Sequence, residues 1–184
     1  WTTDIGGFEG GDQSSPEYRD LLIRWFQFGA FCPVMRLHGN RLHGEPSANP
    51  VKAATGGPNE IWSYGEEAYG ILRNYLFLRE KLRPYIRKAM RMAAETGAPV
   101  MRPLMYDFSN DPVAVACENE YMFGDDILVA PVLELGVRER PVYLPQGSRW
   151  LDAHSGREYD GGQTVVCAAP LDTIPLMLRN GMRL

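Results

Sequence analysis

Cysteine is scarce in this sequence: Cys32, Cys117 and Cys167 are far apart and odd in number. That excludes a disulfide scaffold and a paired-thiol redox motif, and leaves each thiol as a small packed side chain. No apolar stretch approaches the ~20 residues needed to cross a bilayer. No basic region followed by a hydrophobic segment stands at the start. Concentrated positive charge is missing too. With 23 acidic against 19 basic residues and a net charge of -4, the chain has no electrostatic footprint for nucleic acid. Neither nucleic acid nor a membrane is expected as a partner.

The motifs of the common cofactor and nucleophile classes are also absent. Gly6-Gly7 and Gly10-Gly11 lack the closing Lys-Ser/Thr of a phosphate loop, and no nicotinamide fingerprint follows them. Ser14-Ser15 has no nucleophile-elbow glycines around it. His38 and His43 are each followed by Gly rather than set in a helical zinc-binding motif. Asp111 and Asp125-Asp126 fall at turn signals, where a structural account suffices. No metal or other cofactor is expected.

What is present is enough apolar material, 45% of the chain, to fold. Thr2 to Ile5 reads as the end of a strand, and the glycines behind it as a loop. Ser15 can cap a helix with Pro16 at its first position and Glu17 in its first turn. Leu21, Leu22, Trp25, Phe26 and Gly29 then recur at helical spacing. A second short strand is expected over Pro33 to Leu37, then a long Gly/Pro/Asn/Ser-rich loop from Asn40 through Gly65 that Trp62 and Tyr64 help to pack. Helical spacing returns at Leu72, Tyr75, Leu76, Leu82, Ile86, Ala89 and Ala93, with Pro84 dividing or bending the helix. Arg73, Arg79, Arg83, Arg87 and Arg91 read as its solvated face.

Gly97-Ala98-Pro99 ends that pattern. Short apolar runs follow at Val100 to Tyr106, Tyr121 to Phe123, Ile127 to Ala130, Pro141 to Leu144, Thr164 to Cys167 and Pro175 to Leu178, separated by turn residues as in an all-β module. The change of pattern divides the chain into residues 1–99 and 100–184. Strand alternating with amphipathic helix suits the last two strand-helix units of a (β/α)8 barrel, and the second part suits an antiparallel β-sandwich. Two units cannot close a barrel, so the missing barrel segment is expected from other polypeptide, in cis or in trans.

Asp4 is the acidic residue best placed for chemistry. A residue at the C-terminal end of a barrel strand faces substrate, and Gly6-Gly7 permit a tight turn behind it; holding an arginine is its structural alternative. His38 again sits where a strand run meets a glycine, able to hydrogen-bond a sugar hydroxyl. Arg36, two residues earlier, shares its strand face or fixes a loop carboxylate. Trp1, Phe8, Trp62 and Tyr64 offer flat apolar surfaces suited to a sugar ring, Trp1 and Phe8 ahead of the others because they flank Asp4. Trp25 and Phe26 are assigned to packing.

Several unlike motifs in one order give these residues a family context. Trp1-Thr2-Thr3-Asp4-Ile5-Gly6-Gly7-Phe8, Arg24-Trp25-Phe26-Gln27-Phe28-Gly29-Ala30-Phe31-Cys32-Pro33, Arg36-Leu37-His38-Gly39, Leu82-Arg83-Pro84-Tyr85-Ile86, Arg102-Pro103-Leu104 and Tyr121-Met122-Phe123-Gly124-Asp125-Asp126-Ile127-Leu128-Val129-Ala130-Pro131 together resemble the C-terminal part of the catalytic region of glycoside hydrolase family 31, the α-glucosidase and α-xylosidase family. The resemblance covers essentially the whole chain.

It implies retaining hydrolysis of an α-glycosidic bond by an aspartate nucleophile and an aspartate acid/base, both upstream of Trp1. None of Asp4, Asp12, Asp20, Asp107, Asp125 or Asp126 is therefore taken as catalytic. The resemblance makes His38 the sugar-binding histidine of the minus-one subsite and Asp4 a pocket-organising acid. The expected substrate is an α-linked glycoside or oligosaccharide, α-glucosyl ahead of α-xylosyl. The isolated 184-residue chain is expected to be poorly stable and inactive. A non-catalytic carbohydrate-binding or structural module is the competing reading.

Overall fold

The computed structural model describes residues 2–42 and 56–184. Trp1, His43 and most of the long Gly/Pro-rich segment lie outside them. By internal contacts the chain divides into Trp1–Phe77 and Leu78–Leu184.

In the first unit, helix α1 (Pro16–Ala30) begins as its sequence dictates: Ser15 accepts a hydrogen bond from the Tyr18 backbone N–H, Pro16 opens the first turn and Glu17 lies within it. Its buried residues include Leu22, Ile23, Phe26, Gly29 and Ala30. Gly29 makes room for Ile5, whose Cδ1 would lie 2.5 Å from a Cβ added there. Trp25, assigned to packing, also donates its indole N–H to Thr3 Oγ1 at 3.0 Å. Helix and leading segment are thereby joined.

The two expected strands of this unit do not form as strands. Thr2 to Ile5 and Pro33 to Leu37 carry no ladder, because a strand needs a neighbouring backbone and none among the described residues pairs with either run. The second run nonetheless keeps a period of two, with Val34, Arg36, His38 and Asn40 exposed and their neighbours partly buried.

The apolar period after residue 65 resolves into α2 (Glu66–Lys81) and α3 (Arg83–Thr96), parted at Leu82 with Pro84 in the opening turn of α3. Pro84 thus starts a new helix, where its missing N–H costs nothing. Gly97, at φ 77°, closes α3 in the left-handed conformation. Of the arginine face, Arg73, Arg83, Arg87 and Arg91 are exposed. Arg79 departs from it, being half-buried with its guanidinium 6.0 Å from the Phe123 ring.

The remainder of the second unit consists of two antiparallel sheets and two short helices. The strands are β1 (Met101–Pro103), β2 (Tyr121–Phe123), β3 (Ile127–Val129), β4 (Glu139–Leu144), β5 (Arg149–Asp152), β6 (Glu158–Asp160), β7 (Gln163–Ala168) and β8 (Leu176–Leu178). One sheet has the order β1-β2-β3-β8-β5-β6, and β4-β7 form the other. Residues 100–106, read as one strand run, divide into β1 and helix α4 (Leu104–Asp107). The Asn110-Asp111-Pro112 turn opens helix α5 (Pro112–Ala116), with Asp111 accepting from Val113 and Ala114 backbone N–H.

One hydrophobic cluster draws on both sheets. Met122, Leu128, Trp150 and Met177 come from the larger, and Val142, Leu144 and Cys167 from the smaller. Burying each large side chain contributes ~1.5–3 kcal/mol. Cys32 and Cys167 are buried and Cys117 partly so. Burial raises the Cys117 thiol and pushes Cys167 up to about 11, which disfavours the reactive thiolate and suits the packing role expected of them. Asp125 and Asp107 each hold Arg102 at 2.9 Å, and the Tyr85 hydroxyl bridges Phe123 O and Asp126 N. The acidic turn is thus tied into the fold.

Candidate functional site

The site lies in the first unit and is built from the segment around Asp4 to Phe8 and that around Arg36 to Arg41. Asp4 and Arg36 form an ion pair through Oδ1 and Nη2. Their side chains are 25% and 50% exposed respectively, so water screens the pair and its contribution to stability is ~0–1 kcal/mol. Both alternatives weighed for these residues meet in this contact, the acid holding an arginine and the arginine fixing a carboxylate. Phe8 and His38 form a second pair, ring centroids 5.6 Å apart at 41°. Both are exposed. Asn40 N–H donates to Phe8 O at 2.8 Å, tying the backbones beside those rings.

Gly39 makes this approach possible. Its φ of 126° is outside the range of ordinary L-residues, and a Cβ there would lie 2.3 Å from Gly7 O and 2.7 Å from Phe8 O. Trp1 lies outside the described residues, so the structure assigns it no place. The four others occur as the pairs Asp4–Arg36 and Phe8–His38. Of the two aromatics expected to pack the long loop, Tyr64 is buried and so presents no face to a ligand, whereas Trp62 is 67% exposed and does not pack as expected.

Sequence reasoning missed Arg41. This residue is 2% exposed and all three of its guanidinium nitrogens donate. Nη1 reaches Asn40 O at 2.7 Å, Gly7 O at 3.0 Å and Gly10 O at 3.3 Å. Nη2 reaches Ile5 O at 3.0 Å, and Nε the Tyr64 hydroxyl at 3.0 Å. The Tyr18 ring lies 5.7 Å from the guanidinium carbon, and the Tyr18 hydroxyl donates to Gly6 O at 2.9 Å. Burial pushes the Tyr18 phenol up to about 12 against the opposing charge of Arg41. Burial also raises Tyr64, again against Arg41. Both phenols are therefore neutral donors at physiological pH. Tyr64 donates to Asn59 Oδ1, and Asn59 Nδ2 donates to Gly39 O at 3.2 Å.

No group of acidic, histidine or cysteine side chains able to hold a metal ion occurs among the described residues. No helix among them is long and apolar enough to cross a membrane. A cavity of about 410 Å³ in the β part shares none of the site residues. The arginines on its wall are already engaged, Arg149 with Glu158 at 2.9 Å, Arg179 with Asp125 O at 2.6 Å and Arg183 with Met182 O at 2.9 Å.

Two family profiles match nearly end to end. The Glycosyl hydrolases family 31 TIM-barrel domain matches residues 1–89, and the Glycosyl hydrolase family 31 C-terminal domain matches residues 97–182. The chain belongs to glycosyl hydrolase family 31. The family resemblance read from the motifs is thereby established. Among curated relatives, an α-xylosidase of Saccharolobus solfataricus is 37% identical over 98% of this chain and 23% of its own length. Alpha-glucosidase 2 of Bacillus thermoamyloliquefaciens is 32% identical over 97% of the chain and 20% of its own. The crystal structure of a family 31 α-xylosidase from a soil metagenome, complexed with xylose, superposes with a TM-score of 0.93 at 53% identity, over 99% of this chain and 28% of that one. The chain thus spans 20–28% of the length of these three family 31 proteins.

Proposed function

We propose that this chain is part of a retaining family 31 glycoside hydrolase and supplies one edge of its sugar pocket, with the catalytic carboxylates on other parts of the protein. The observation that carries this reading is the exposed edge made by the Asp4–Arg36 and Phe8–His38 pairs. It sets a carboxylate, a guanidinium and an imidazole beside an aromatic face, the mixture that binds a sugar through its hydroxyls and its apolar ring.

Retention needs two carboxyl groups ~5–5.5 Å apart, one attacking the anomeric carbon while the other protonates the leaving oxygen. Water then releases the sugar from the first carboxylate. Asp4, engaged by Arg36, takes neither task and instead orients the ring, while His38 hydrogen-bonds a hydroxyl. The described architecture fits the last two strand-helix units of a barrel over residues 1–99, whose ladders require neighbouring strands, and an antiparallel sandwich over residues 100–184. The rest of the barrel is the required partner, in cis or in trans.

For the substrate, the family resemblance admits both sugars, with α-glucosides slightly ahead. The α-xylosidases among the relatives favour a terminal α-xylosyl group instead, and the Bacillus α-glucosidase keeps α-glucosides as the second reading. The two sugars differ by one hydroxymethyl group, whose carbon is worth ~10–200-fold in an apolar pocket and whose hydroxyl adds to that where the pocket hydrogen-bonds it. Steady-state kinetics of the complete protein on 4-nitrophenyl α-xyloside and α-glucoside test this directly. Higher kcat/KM on the xyloside supports the first reading, higher kcat/KM on the glucoside the second. Sugar binding with no hydrolysis of either sinks both and leaves a carbohydrate-binding module.

A further inference from the structure

A charge as deeply buried as that of Arg41 is costly unless every donor is satisfied. Among the described residues no carboxylate does this. Its partners are the main-chain oxygens of Ile5, Gly7, Gly10 and Asn40 and the Tyr64 hydroxyl, with the Tyr18 ring against the cation. These oxygens are not a random sample of the first unit. Ile5 follows Asp4, Gly7 and Gly10 bracket Phe8, and Asn40 lies two residues beyond His38. The same turn is held from its other side by Asn59, which Tyr64 orients, and by the Asn40–Phe8 backbone bond. Neutral carbonyls can be matched in this number by a planar guanidinium with its fan of donors, and not by an ammonium.

We propose that Arg41 is the positioning residue of the sugar pocket: through Tyr64 and Asn59 and its own carbonyl bonds it fixes the Phe8 loop and the His38 turn as one rigid edge, and so governs how tightly the sugar ring is held. This rests on the glycosidase reading above. Arg41 touches no substrate itself. Its effect therefore falls on binding by Phe8 and His38 and not on the attacking or proton-donating carboxylates.

The test uses the complete protein with Arg41→Lys and, since a buried-arginine variant can misfold, Tyr64→Phe, which keeps the ring and the cation and removes the hydroxyl that accepts from Arg41 Nε and donates to Asn59. Arg41→Lys is expected to raise KM for 4-nitrophenyl α-xyloside about tenfold, equivalent to ~1.4 kcal/mol, and to weaken inhibition by free xylose equally, with kcat within about threefold. Tyr64→Phe should shift KM and the xylose constant the same way, by about threefold. In both, amide hydrogen exchange over residues 5–11 and 38–42 should accelerate. KM and xylose inhibition within twofold of the parent, alongside a lowered melting temperature, would overturn the proposal by making Arg41 merely structural. So would unchanged exchange in those segments. A parent protein that hydrolyses neither glycoside sinks the glycosidase reading, and the exchange measurement then decides by itself whether Arg41 holds the edge.

Discussion

Glu120 gives the second unit a stability that falls as pH rises. It is 6% exposed; its Oε1 accepts the Tyr143 backbone N–H at 2.9 Å, and its Oε2 finds no donor among the described residues. Burial pushes its carboxyl from 4.5 up to about 7, against the opposing Tyr143 N–H and the Arg140 guanidinium. Between those values the folded protein holds a proton that the unfolded chain has released. The stabilisation is complete below about 4.5 and lost as pH climbs through about 7. At ~1.4 kcal/mol for each pH unit, the full excursion is about 3 kcal/mol. Glu120→Gln keeps an acceptor for Tyr143 and removes the charge. In thermal or denaturant unfolding from pH 5 to 8, the parent should lose stability by about that amount. The variant should match it to within ~1 kcal/mol near pH 5 and exceed it by ~1–3 kcal/mol at pH 8. Curves that stay parallel across the range, or a parent that gains on the variant towards pH 8, would refute the assignment of a buried, nearly neutral carboxyl.

Two further outcomes follow from the candidate site. Gly39→Ala drives a Cβ to 2.3 Å from Gly7 O and 2.7 Å from Phe8 O at a φ of 126°, so the Phe8 loop must move or the turn must strain by ~1–3 kcal/mol; kcat/KM of the complete protein should fall at least about tenfold, and unchanged kinetics would show that the Phe8–His38 approach does not matter. Asp4→Asn removes the charge from an ion pair worth ~0–1 kcal/mol to folding, so the melting temperature should stay within about 2–4 °C while kcat/KM drops about tenfold or more. Full activity in Asp4→Asn would remove Asp4 from the pocket.

The fold was legible where a local signal and its consequence lie in the same few residues. Ser15-Pro16 began α1, Pro84 divided α2 from α3, and Gly97 ended α3 because capping and ring geometry act locally. The same signature at Asp111-Pro112 was read as a turn only, since α5 is a short helix with no room for apolar periodicity. β5 and β6 escaped for a different reason. They carry Arg149, Asp152, Glu158 and Asp160, and β6 is an edge strand, where charge blunts the edge and erases the apolar run by which a strand is recognised. Arg149 meets Glu158 at 2.9 Å and Asp160 at 3.6 Å across that pair. The strands expected at Thr2–Ile5 and Pro33–Leu37 fail in the opposite sense. Their apolar pattern is genuine, but a ladder belongs to two backbones, and one run of sequence specifies only its own half.

The site divides along the same line. Asp4, Phe8, Arg36 and His38 announced themselves because each is a chemically distinctive side chain beside a glycine or at a strand-like end, and the structure pairs them. Arg41 did not, because its partners are mainly main-chain carbonyls, which every residue has and which leave no mark in sequence. The readable trace was indirect, in the glycines taken as turn-formers. A Cβ at Gly6 would sit 2.7 Å from Arg41 Nη2 and 2.9 Å from the Tyr18 hydroxyl, and one at Gly11 would sit 2.3 Å from Tyr18 Cζ. Part of the glycine content of this loop therefore reflects volume as well as backbone freedom, the space in which a cation and an aromatic ring are buried beneath the segment that carries Phe8. A glycine-rich turn packed against an Arg and two Tyr, with no carboxylate among the described residues to claim the cation, is for that reason better read as a packed positioning device than as a flexible loop.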